Sequence, residues 1–174
     1  MMAGGLLDKG SISIRLRELM ILRTCAACGA EYDPAVERKE DIMEISATVT
    51  SSRANHEVTV RTGSNTQSLA VPPKPTGGSA VNGGEFLMLA LATCYCNDLY
   101  REAERLRIPI EGAQVEATAE FPGVGLAATR IRYRALVQSS ATAEAVAQLL
   151  RHTDAVAEIH NTVRAGVPVE LVLR

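Results

Sequence analysis

Residues 77–96 read GGSAVNGGEFLMLALATCYC. Glycine-rich, turn-like sequence gives way to an almost unbroken apolar run that closes on two thiols, Cys94 and Cys96. From Glu85 to Leu106 the pattern predicts one long helix. Its first half carries Phe86, Leu87, Met88, Leu89 and Leu91, apolar on every face, which predicts burial all round. Its second half, NDLYREAERLRI, is amphipathic and is expected to leave the core. The apolar run is too short to span a bilayer, and Asn97 and Asp98 follow it at once.

Upstream of this helix the period changes from helical to alternating. Ile45, Ala47 and Val49 alternate with polar residues, as do His56, Val58, Val60 and Thr62, and SSRAN between them supplies turn residues. A third strand is expected through SLAV at 68–71, and PPKPTGGS at 72–79 reads as a loop. Downstream, Val115, Ala117, Ala119 and Phe121 alternate, then Ile131, Tyr133, Ala135 and Val137, with PGVG between them. A helix is expected from Thr142 to about His152, with a further turn or two towards His160. A last strand is expected in VPVELVLR at 167–174. The order βββαββααβ with half-buried strands indicates an α+β domain.

Before this domain, residues 11–30 show helical spacing through Ile14, Leu16, Leu19, Ile21 and Leu22, with Gly29 and Pro34 marking the stop. AVERKED at 35–41 reads as a linker. The expected organisation is a helical N-terminal extension over 1–40 and a domain over 41–174.

Composition narrows the function. The net charge of −2 offers no basic field to nucleic acid, and with aromatics at 3% and no Trp there is no base-stacking platform. No secretory leader pattern opens the chain, so a cytoplasmic location with reduced thiols is expected, and no membrane partner. Cys25 and Cys28 form C-A-A-C, but a zinc site needs a second pair and none has the spacing. The pair therefore reads as ordinary helix thiols, and neither a metal nor an organic cofactor is expected.

The segment GG…NGGEFLMLALATC, set between three strands and a helix-to-strand continuation, resembles the glycine-rich loop and central helix of the OsmC/Ohr family. These are the osmotically inducible and organic-hydroperoxide-resistance proteins, and the resemblance covers residues 41–174. It implies an antiparallel sheet wrapped around a long buried central helix in an intertwined homodimer. It also implies thiol peroxidase chemistry on a small hydroperoxide, with a thiol reductant such as a lipoyl protein or a small thiol as partner. Under the resemblance Cys94 is the reactive cysteine, Glu85 matches a family Glu at the helix start, and Lys74 falls where the family has an Arg. The second, resolving cysteine of the family is missing: the corresponding run is VAEIHNTV at 156–163, with Ala157 at that position.

Helix geometry adds an independent constraint. Glu85 and Cys94 are nine residues apart, so on one straight helix they lie about 13 Å apart and on opposite faces. If they cooperate, the Glu comes from a second subunit. The thiolate, not the thiol, attacks a peroxide, and burial disfavours it, so a cation such as Lys74 is required nearby. Lys cannot reproduce the planar two-point contact of Arg with a carboxylate.

Each candidate also has a purely structural reading. Cys94 and Cys96 are small apolar residues of a packed helix, Glu85 suits the helix dipole, and Lys74 is a solvated loop charge. The alternative to catalysis is a binding module for a small hydrophobic ligand, with Cys94 as lining. His56, His152 and His160 read as turn or surface histidines, though His160 lies close to the missing cysteine position. Finally, IRLRELMILRTCAACGAEYD at 14–33 resembles a helix of carboxymuconolactone decarboxylase-like and alkylhydroperoxidase-D-like proteins. The histidine expected after it is replaced by Pro34 to Glu37, so it reads as a truncated remnant or packing arm with no catalytic carry-over.

Overall fold

The computed structural model describes residues 43–52 and 55–173. The helix expected at 11–30, the Cys25/Cys28 pair, the linker at 35–41 and the boundary near residue 40 lie outside the described residues. The chain runs through strands β1 (Ile45–Ser51), β2 (His56–Thr62) and β3 (Asn65–Leu69), helix α1 (Gly83–Leu106), strands β4 (Gly112–Glu120) and β5 (Thr129–Gln138), and helices α2 (Ala143–Val156) and α3 (Glu158–Ala165). This is the expected mixed architecture, with two differences of detail, in the third strand and the helix after Thr142, and two of substance, in α1 and the last strand.

The first detail is the third strand, expected at 68–71 and found at Asn65–Leu69. Thr62 pairs directly with Asn65. The chain therefore reverses in two residues at Gly63, whose φ of +55 suits a glycine, and Pro72 and Pro73 leave the ladder beyond. The second is the helix after Thr142. It runs on to Val156, breaks at Ala157 where the backbone becomes extended, and restarts as α3.

The described strands form two sheets, β1-β2-β3 and β4-β5. In the second, an antiparallel register runs from Gly112 opposite Gln138 to Glu120 opposite Thr129, with an irregularity between Thr118 and Glu120. Its alternation turns Ala113, Val115, Tyr133, Ala135 and Val137 to one side, where they pack on a core of Tyr95, Leu99, Ala103, Leu149 and Ala157. Period-two alternation in the sequence thus becomes a one-faced sheet covered by helices.

The first difference of substance concerns α1. The buried residues are Leu91, Tyr95, Asp98, Leu99, Glu102 and Ala103, a single stripe at helical spacing. The amphipathic second half, expected to leave the core, is the half packed against β4, α2 and α3. The apolar first half, expected to be buried all round, is only partly covered, and Leu89 is 57% exposed. Among the described residues β4, α2 and α3 pack on α1, and its first turns meet little beyond Ala119 and Phe121 at the far end of β4.

The second is that the expected last strand is not formed: among the described residues, 167–173 have no strand partner. Val169 is 99% and Leu171 85% exposed. A strand exists only when its backbone groups find a neighbouring ladder, and no free edge of either sheet takes this segment.

Candidate active site

Helix α1 begins with a reciprocal cap. The Asn82 Oδ1 accepts from the Glu85 N–H at 3.0 Å and the Glu85 carboxylate accepts from the Asn82 N–H at 2.7 Å. Glu85 is therefore engaged as a helix-start residue in its own chain, beside Gly84, Met88, Ala119 and Phe121. Lys74 stands in the loop between β3 and α1, where its N–H donates to the Gly78 carbonyl and its own carbonyl accepts from Gly77, both at 2.9 Å. It lines a cleft of about 360 Å³ together with Ser52, Asn55, His56 and Pro75. Within one chain these two residues and Cys94 occupy three different surroundings, so the structure does not bring the three predicted site residues together.

It brings other groups to Cys94. The thiol donates to Asp98 Oδ2 at 3.4 Å, and Glu158 Oε2 lies 3.9 Å from the same sulfur. Cys94 and Asp98 are four residues apart and share a face of α1. Glu158 is the first residue of α3, delivered by the helix break at Ala157. The residue that meets the sulfur is thus Glu158 and not Ala157, which is fully buried in the core.

Arg101, one turn beyond Asp98, ties the carboxylates together. Its Nη1 lies 2.8 Å from Asp98 Oδ1 and 3.5 Å from Glu158 Oε1, and its Nε lies 3.1 Å from Glu102 Oε1. The buried Glu102 is held further by Arg105 Nε at 2.7 Å and by His152 Nε2 at 2.9 Å. Arg105, Arg101 and His152 together draw its carboxyl down to about 2. His152 therefore has a defined partner and is not a free surface histidine.

The electrostatics hold the thiol protonated. Burial raises the Cys94 thiol above its ordinary value. The backbone N–H of Ile159 acts against the rise, and the nearby Asp98 and Glu158 add to it. Burial also raises Asp98, with Glu158 and Glu102 adding to the rise while the Cys94 hydrogen bond and Arg101 oppose it. The resting pair is a neutral thiol donating to a carboxylate.

The sulfur, Asp98 and Glu158 donor atoms lie within 4.8 Å of one another, but the cation set against both carboxylates is Arg101. Cys96, expected in the core, is a half-buried free thiol on another side of the helix. His160, expected near the surface, is 4% exposed. Its ring packs on Tyr133 and Tyr95 at centroid distances of 4.4 and 5.6 Å, and burial lowers its affinity for a proton. Beside it Tyr133 and Arg164 both hydrogen-bond to Asp154.

Asp98 and Arg101 follow Cys94 at four and seven residues, a helical stripe that is written in the sequence and that a reading centred on thiols passes over. Glu158, 64 residues on, has no local signal.

Comparison with known proteins agrees with this fold. A family model described as OsmC-like protein matches residues 76–172, more than half of the chain. A crystal structure of an OsmC-like protein from Mycoplasma pneumoniae superposes with a TM-score of 0.53 at 17% identity, covering 72% of this chain and 89% of that one. An organic hydroperoxide resistance protein from Elizabethkingia anophelis, crystallised with thiocyanate, gives 0.49 at 19% identity over 72% of this chain and 91% of its own. No match was found among curated protein sequences. No described helix is long and apolar enough to cross a membrane. With the glycine-rich loop, the long helix carrying Cys94 and the β4-β5 layer all inside or beside the matched span, the chain belongs to the OsmC-like protein family.

Proposed function

We propose that the protein reduces organic hydroperoxides through Cys94 in a one-cysteine cycle that draws on an external thiol. The observation that carries the reading is the position of the Cys94 sulfur, half-buried on the long family helix and hydrogen-bonded at 3.4 Å to Asp98. In the first step the ionised sulfur attacks one peroxide oxygen. An S–O bond forms, the O–O bond breaks, the sulfur is oxidised to a sulfenic acid, and the departing alkoxide takes a proton from water to become the alcohol. A first external thiol then condenses with the sulfenic acid, releasing water and leaving a mixed disulfide, and a second thiol reduces that disulfide. Glu158 stands against the sulfur from α3, and a carboxylate cannot close a disulfide. The other thiol among the described residues, Cys96, points elsewhere on α1, so the reading takes the second thiol from outside, with Cys25 or Cys28 as the alternative donor.

The reading includes a homodimer in which Glu85 and Lys74 of one protomer approach Cys94 of the other. Its support is the distribution of apolar surface. Met43, Ile45 and Val49 on and before β1, Leu89 on the first half of α1, and the alternating run Val167, Val169, Leu171, Leu173 are all exposed in one chain. Exposed apolar surface at this density marks association, and an unpaired alternating segment suits a sheet edge of a second copy. A solution mass of twice the 18.6 kDa chain is expected by light scattering, and a single-chain mass at micromolar concentration would remove the shared site.

The chemistry is tested by brief exposure to an organic hydroperoxide followed by peptide mass spectrometry. One added oxygen, or its adduct with a trapping thiol, is expected on Cys94. Oxidation spread evenly over all four cysteines would oppose a dedicated site. The alternative, a binding module for a small hydrophobic ligand, is favoured by one feature: burial, with Asp98 and Glu158 adding to it, favours the less nucleophilic thiol form of Cys94.

A further inference from the structure

Arg101 holds both carboxylates at Cys94 by the same pair of oxygens. Its Nη1 contacts Asp98 Oδ1 and Glu158 Oε1, while the other oxygen of each, Oδ2 and Oε2, faces the sulfur. The guanidinium is itself steadied by Glu102 through Nε, and Glu102 by Arg105 and His152. One residue therefore fixes which way two anions point at one thiol and, among the described residues, is the cation in contact with both of them.

We propose that Arg101 is the positioning residue of this thiol: by gripping the outer oxygens of Asp98 and Glu158 it aims the inner ones and sets how readily Cys94 gives up its proton. The inference rests on Cys94 being the reacting sulfur, but it does not require the substrate to be a hydroperoxide. The charged and titratable groups bearing on the pair are Asp98, Arg101 and Glu102 from α1 and Glu158 and His160 from α3, together with the Ile159 N–H. Among these Arg101 is the cation that contacts the carboxylates at the sulfur. Without it, two anions lean on the sulfur uncompensated and the thiolate becomes rarer. With Asp98 neutralised instead, one anion is gone and the thiolate becomes commoner. The two substitutions act with opposite sign through the same geometry.

The test is the pH profile of Cys94 alkylation by iodoacetamide in the full chain. It is read at the Cys94 peptide by mass spectrometry, with Cys96 as an internal reference. In Arg101→Gln the profile is expected to move to higher pH, with alkylation at pH 8 about tenfold slower, the size expected for losing one close opposite charge. In Asp98→Asn it is expected to move to lower pH by a similar amount. Arg101→Lys keeps a charge without the two-sided grip and is expected to fall between wild type and Arg101→Gln. A variant that merely unfolds would shift towards an ordinary free thiol, to lower pH, so a fold defect in Arg101→Gln has the opposite sign to the expected result. An Arg101→Gln profile superimposed on wild type, or shifted to lower pH, overturns the inference. Because alkylation needs no peroxide, wild-type protein that fails to consume hydroperoxide would sink the peroxidase reading while the Arg101 shift is still scored by itself.

Discussion

Cys94→Ser is expected to reduce hydroperoxide consumption to the level of the dithiol alone, a loss of at least about 10³-fold when the nucleophile of a covalent cycle is removed. Serine keeps the size and the hydrogen bond to Asp98, so the helix stripe and its packing should survive, and thermal melting should move little. The comparison is sharp because Cys96 is retained. It is two residues away on α1, so it points elsewhere, and it lacks the Asp98, Arg101 and Glu158 neighbourhood. If the variant keeps wild-type consumption of an organic hydroperoxide with a dithiol present, the sulfur of Cys94 is not the reacting atom. The ligand-binding reading would then stand. If both proteins run at background, the carboxylates hold the thiol too firmly for turnover, and the same alternative gains.

Much of the fold is legible in the sequence because its strands alternate. Val115 to Phe121 and Ile131 to Val137 show the period of two that becomes the β4-β5 layer, and Tyr133, Ala135 and Val137 lie on the expected side. Burial along α1 is not legible in the same way. Hydrophobicity says that Phe86 to Leu91 want cover, but it does not say from which chain. The turns that find cover at home are those met by β4, α2 and α3, and their stripe runs through Asp98 and Glu102, polar residues that a hydrophobic reading places outside. Those two are tolerated because each is paired: Asp98 with Arg101 and the thiol, Glu102 with Arg101, Arg105 and His152. The final segment from Val167 shows the complementary case, a strand pattern without a ladder in its own chain.

The site divides along similar lines. Glu85 and Lys74 come from the family resemblance, and one chain places them at the helix cap and in the loop cleft, away from Cys94. Asp98 and Arg101 are local to Cys94 and follow from helix spacing alone. Glu158 depends on a helix breaking at Ala157 and restarting one residue later, a tertiary detail with no local signal in the helical run. The outcome, among the described residues, is a thiol that meets two carboxylates and the Ile159 N–H, with one guanidinium gripping both carboxylates.

That balance predicts a steep pH dependence. Hydroperoxide consumption by the wild-type protein is expected to rise throughout pH 7 to pH 9, by about tenfold per unit at the start, with no plateau in that range. The sign follows from the causes already given. Burial first, then Asp98 and Glu158, raise the Cys94 thiol above its ordinary value, against the opposing Ile159 N–H. Below that raised value the thiolate fraction gains a factor of ten with each unit, and the rate follows the thiolate while attack on the peroxide is limiting. The measurement is an initial-rate series at fixed hydroperoxide and saturating reductant, with the reductant's own pH dependence taken from the Cys94→Ser protein. Glu158→Gln removes one of the raising anions and is expected to shift the rising limb to lower pH, so that activity at pH 7 increases several-fold. A wild-type profile already flat from pH 6 would mean a thiolate stabilised at neutral pH. The cation responsible would then have to come from beyond this chain's own Arg101, and the Lys74 of a second protomer would become the residue to substitute.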